Sequence, residues 1–134
     1  MTKYAAFGTL LKRAGTTIAN VSKISGPGLS VDTEDVTTHD STAGWEEHVA
    51  TIVRSGEVSF DIIYDPPAAT HKNAAGGLLH DLASRAAVAY TLVFPGAVTW
   101  SFNAFVVGFE PDAPVDGALT AAVALKITGQ PTLV

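Results

Sequence analysis

Apolar and polar residues alternate strand-fashion along most of this chain, and one segment departs from that period. The first two runs, Phe7 to Lys12 and Thr17 to Ile24, flank Ala14-Gly15-Thr16 and predict a hairpin. Gly26-Pro27-Gly28 then breaks regular structure, and the stretch from Ser30 to Glu47 is rich in Asp, Thr and Ser and nearly empty of large aliphatics. It reads as a long loop, and loops beyond about 12 to 15 residues in compact domains are usually functional or disordered. Alternation resumes at Val58, Phe60, Ile62 and Tyr64, with Glu57, Ser59, Asp61 and Asp65 opposite, until Pro66-Pro67 ends the strand. From about 74 to 86 the apolar spacing becomes Ala75, Leu78, Leu79, Leu82 and Ala86, which predicts a helix with Asp81 and Arg85 off its packing stripe. Gly76 and Gly77 weaken that helix intrinsically, so docking of Leu78, Leu79 and Leu82 has to hold it.

Three further strands are expected at Val88 to Phe94, Val98 to Phe109 and Ala118 to Thr128. In the last, Leu119, Ala121, Val123, Leu125 and Ile127 share one face, and small or polar residues the other. In the middle one the large residues change parity between Phe102 and Phe105, which predicts a bulge near Asn103-Ala104 or burial on both sides.

Composition narrows the function. At 134 residues and 47% hydrophobic content the chain suits one domain, 1–134, with one core. Only 16% of residues are charged, so much of the surface is small and uncharged, as self-association favours. The net charge of -5 argues against tight binding of nucleic acid, which depends on Lys and Arg displacing counterions from phosphate. There is no cysteine, no apolar run near the roughly 20 residues of a membrane span, and no secretion signal at Met1-Thr2-Lys3-Tyr4.

Candidate chemistry is thin. His39-Asp40-Ser41 has the residue types of a hydrolase triad, but consecutive side chains diverge and cannot relay a proton. His48, His71 and His80 lack the i, i+4 spacing of a helical zinc site. Glu46-Glu47 and the Asp61, Asp65 pair read as solvated acids, and the glycines match no phosphate-binding fingerprint. The expectation is no catalytic residue, no cofactor and no metal. Trp45 is harder to dismiss, because an indole in a polar loop gains little unless buried, either within the chain or on a neighbour; a loop without its own core favours the neighbour.

Several features in fixed order resemble the tail tube (major tail) proteins of long-tailed bacteriophages, of the non-contractile siphophage type. They are Gly8-Thr9-Leu10, the Ile18 to Ile24 strand, Pro27, and the acidic run Val31-Asp32-Thr33-Glu34-Asp35-Val36-Thr37-Thr38-His39-Asp40-Ser41. Gly44-Trp45-Glu46, Gly56-Glu57-Val58-Ser59-Phe60, Tyr64-Asp65-Pro66 and Lys126-Ile127-Thr128-Gly129-Gln130-Pro131 follow.

The resemblance implies a β-sandwich or barrel-like domain with one flanking helix, assembled into hexameric rings that stack helically. The long loop would be an inter-ring contact, using Asp32, Asp35, Thr37, His39, Asp40, Ser41, Trp45 and Glu46. Glu57, Ser59 and Asp61 would face a lumen that DNA crosses without specific binding. The implied partners are further copies of itself, a tape measure protein and tail terminator and tip proteins. Its place would be the virion tail, built in the host bacterial cytoplasm without a membrane. Some relatives carry an immunoglobulin-like C-terminal domain, and this chain, ending at Val134, is expected to lack it. Two rival readings are a tube protein of a contractile tail or secretion needle, and a small β-barrel module holding an apolar ligand among Trp100, Phe102, Phe105 and Phe109.

Overall fold

The computed structural model describes residues 2–133. Nine strands and one helix follow in the order β1 (Leu10–Arg13), β2 (Thr16–Thr17), β3 (Val21–Ser25), β4 (Ser30–Asp35), β5 (His48–Arg54), β6 (Glu57–Ile63), α1 (Leu78–Ser84), β7 (Val88–Phe94), β8 (Val98–Asp112) and β9 (Thr120–Leu133). Seven strands form one antiparallel sheet in the order β2-β1-β7-β8-β9-β6-β3, curled into a half-barrel, while β4 and β5 pair only with each other. The barrel-like, mainly β architecture with one helix is therefore the one expected.

The core follows from strand parity. Val58, Phe60 and Ile62 alternate with exposed Glu57, Ser59 and Asp61, and Ala121, Val123, Leu125 and Ile127 repeat the pattern on β9. Register places Phe60 beside Val123 and Val123 beside Phe109, so each apolar row meets the next across the ladder. Leu11, Ile18, Leu78, Tyr90, Leu92, Phe102, Ala104 and Val106 complete the cluster.

Three expectations are corrected. The hairpin of the first two runs stops at Thr17; the chain turns at Asn20, whose φ is 59°, and β3 crosses to the opposite edge to pair with β6. The β8–β9 ladder shifts register next to the expected place, between Ser101 and Asn103, and again between the Val106↔Leu125 and Gly108↔Ala124 pairs, where Val107 is the extra residue of β8. Phe105 accordingly faces away from Phe102, and Phe109 returns to the core side. The helix begins at Leu78 rather than near residue 74, because the preceding turn is too tight: a Cβ on Gly77 would stand 1.8 Å from the Lys72 carbonyl oxygen. Finally, Asp81 is not off the packing stripe but buried, while Ala75 and Ala86 are exposed.

Candidate assembly surfaces

Ser30 to Glu47 is not loop throughout: its first third is β4, which with β5 makes an arm outside the main sheet. At the arm's base the two chain segments touch, since a Cβ on Gly56 (φ 67°) would meet the Gly28 carbonyl oxygen at 2.7 Å. That approach excludes any side chain there. Val31 pairs with Val53 and Thr33 with Ala50, so β5 carries one extra residue between them. Arg54 donates to the Asp32 carboxylate at 2.7 Å, and the Thr51 hydroxyl donates to the Asp32 carbonyl.

Short-range bonds order the tip. The Thr37 amide donates to Asp35 Oδ1 at 2.9 Å, the Glu47 amide to Thr37 Oγ1 at 2.8 Å, and the Thr38 amide to Ser41 Oγ at 3.0 Å. A 3-10 turn at Thr42–Gly44 then delivers Trp45. The hydrogen bonds from Thr37 hold the Asp35 carboxyl below its usual range. No hydrogen bond links His39, Asp40 and Ser41 side chains to one another among the described residues. Glu46 lies 3.5 Å from His48.

What the arm lacks is a layer to pack on. Every residue of β5 is exposed, including Val49, Ile52 and Val53, and Trp45 is 75% exposed at the tip. Six of the chain's 13 acids lie between Lys23 and Arg54, with no Lys or Arg among them. The arm is thus acidic and apolar together, the composition of a surface that meets a partner rather than water alone.

The sheet face opposite the core is the second surface. Glu57, Ser59 and Asp61 stand on it beside Lys126, Ala124 and Ala122 of β9, and Glu57 lies 3.9 Å from Lys126. Of the helix leucines, Leu78 is fully buried, Leu82 packs on the core's side and Leu79 is half-buried. Trp100, Phe102, Phe105 and Phe109 surround no common cavity: Phe102 is core, Phe105 is on the far face, and Trp100 and Phe109 meet Phe94 and Tyr64 edge-on.

Two buried polar clusters escaped the sequence reading. Asp81, 2% exposed, accepts from two Arg13 nitrogens, Nε at Oδ2 and Nη2 at Oδ1 (2.7 Å), and from the Tyr90 hydroxyl at 3.1 Å. Burial and then the Asp81 charge push the Tyr90 phenol well up, and the hydrogen bond to Asp81 raises the Arg13 guanidinium. Buried His71 accepts the Asp65 amide at Nδ1 and bonds the Ala19 carbonyl from Nε2 at 2.8 Å, tying the turn before α1 to the β2–β3 connection. Adjacency of His80 and Asp81 gave no signal of either cluster, because their partners are remote in the chain. The β-branched run Val49 to Val53 was the available sign of β5.

Among the described residues, no group of three His, Cys, Asp or Glu side chains is placed to hold a metal, and no helix is long and apolar enough to cross a membrane. The fold recurs in solved assemblies. A chain of the virion of a native gene transfer agent particle superposes with TM-score 0.79 at 13% identity, covering 98% of this chain and 99% of that one. A chain in the tail of an empty gene transfer agent particle, solved with helical refinement and C6 symmetry, gives TM-score 0.75 at 13% identity over 98% and 99%. One from the sheath/tube terminator of an extracellular contractile injection system gives 0.75 at 13% over 100% and 98%. At such identity the likeness is one of fold. No curated protein matches the sequence. The model of the lambda phage tail tube protein family matches residues 3–134, and the chain belongs to that family of structural tail tube proteins.

Proposed function

We propose that this tail tube protein closes into six-membered rings that stack along one axis, each arm reaching onto a copy in the adjoining ring. The observation that carries this is the arm: a β-hairpin with Trp45, Val49, Ile52 and Val53 exposed and no layer of its own chain to cover them. Burying such residues against a second copy removes apolar area from water, at about 25 cal/mol per Å². The contacts assigned to this role are Asp32, Asp35, Thr37, His39, Asp40, Ser41, Trp45 and Glu46. Open sheet edges at β2 and β3 are the other motive for ring closure, since neighbours satisfy them without random aggregation.

In this reading Glu57, Ser59 and Asp61 line the channel. An acidic, small-residue wall lets DNA slide because no row of cations grips its phosphates. The protein has no active site, assembles in the host cytoplasm, and meets a tape measure protein inside the tube and terminator and tip proteins at its ends. The tail is of the non-contractile kind; a sheath gene beside this one would assign it to a contractile machine instead.

Trp45→Ala, or deletion of 36–44, is expected to leave a folded monomer that forms no tubes. Negative-stain micrographs of the concentrated variant showing normal tubes would overturn the reading.

A further inference from the structure

The arm's chemistry has a counterpart on the body. A groove of about 820 Å³ opens between β3 and the amino-terminal segment, walled by Tyr4, Phe7, Val21, Ile24, Leu92 and Phe94. It lies where β3, the last strand of the curled sheet, faces β1 and β7 without pairing to them. Its wall is incomplete, since Phe7 is 95% exposed. Lys23 is the charged residue lining it, and no Asp or Glu does. Lys3 precedes Tyr4, and Lys12 stands two positions beyond Leu10 on the same face of β1. None of these three lysines has a carboxylate partner within ion-pair distance among the described residues, although Lys23 stands opposite Asp61 in the ladder.

Resting on the reading of the arm as a contact between copies, we propose that Trp45 of one copy seats in this groove of a second copy. Glu46 and Glu47 are then set against Lys23 and its neighbouring lysines. The match is twofold. An exposed indole carries one of the largest apolar areas a side chain can bury, and the groove is of ligand-pocket size with aromatic walls. The groups flanking the indole are anions, and those around the groove are unpaired cations, an arrangement that fixes orientation and disfavours a wrong partner. The occupant is this same chain because the six acids of its arm have only Arg54, held by Asp32, and His48, beside Glu46, as basic neighbours of their own, while all seven other Lys and Arg residues lie outside the arm. A second groove, about 590 Å³, lies under the arm's own base, and its cations Arg54 and Lys126 are already held by Asp32 and Glu57.

Because the chain has no cysteine, the contact can be trapped by disulfide formation. Full-length chains bearing Glu46→Cys are mixed with chains bearing Ser22→Cys at high concentration and oxidised. Parallel mixtures use Lys3→Cys as a second groove position and Thr128→Cys, on the far face of β9, as control. The groove positions are expected to give mixed dimer in about tenfold excess over the control. Lys23→Glu in the receiving chain is expected to lower that yield about threefold, and Glu47→Lys in the donating chain to restore it. Equal linkage of groove and control positions, or loss without restoration, overturns this groove while leaving the arm as a contact between copies. Absence of any linkage overturns both.

Discussion

β5 and β6 are consecutive strands of seven residues each, rich in β-branched and apolar side chains, yet they have opposite fates. In β6, Val58, Phe60 and Ile62 are buried and the residues between them are wet; in β5 every residue is exposed. Both lie in antiparallel ladders, β6 between two neighbours and β5 beside one, so pairing alone makes each of them a strand. What differs is the second layer: β6 turns its apolar face into the core that the curled sheet encloses, and β5 faces no such layer. Propensity and pairing make a strand, but only a facing layer makes a core. Apolar residues held where the single chain has no layer point to a layer supplied by another chain.

The widest test of this contrast pairs Phe60→Ala with Ile52→Ala. The first is expected to cost about 3–5 kcal/mol of folding stability through lost transfer and a residual cavity. The second should stay within about 0.5 kcal/mol in the monomer, as exposed substitutions do. Urea unfolding followed by tryptophan fluorescence measures both, and a costly Ile52→Ala would show that the arm is folded onto the body.

A smaller effect sharpens the body's side. Tyr90→Phe removes one neutral donor from Asp81, at about 1 kcal/mol, while leaving the Arg13 pair in place. Tyr90 also has a raised folded value, so the native state keeps the phenol proton that the unfolded chain releases above about pH 10. The associated stability is complete below that pH and declines as pH rises through it. Tyr90→Phe should flatten this alkaline decline in thermal melts taken from pH 8 to 11.

The smallest effect is on the arm. The Asp35 carboxyl is depressed below 3.8, so its contribution is present above that value and fades as pH falls through the lower folded one. Asp35 is fully exposed, so the change is local: the Thr37 amide resonance should move with this titration in wild type and not in Asp35→Asn. A global loss of structure in the same window would show that the tip supports the fold.

Where the pattern was legible, burial was decided by neighbours of a predictable kind. Alternation in β6 and β9 named their core rows, and the leucine spacing located α1 to within a turn. Two things were not legible for a physical reason. Asp81 reads as a surface acid because its partner Arg13 is 68 residues away in sequence. β4 reads as loop because acids and threonines on a two-sided wet ladder carry no apolar alternation.

The amino-acid order alone determined the strand-rich character, the apolar rows, the acidity of the segment before Arg54 and the family resemblance, since these depend on local period and composition. Only the tertiary structure decided that β3 crosses to the far edge, that Asp81 is buried, and that β4 and β5 stand apart from the sheet. Those outcomes depend on which remote segment supplies the facing surface, and no local pattern encodes that choice.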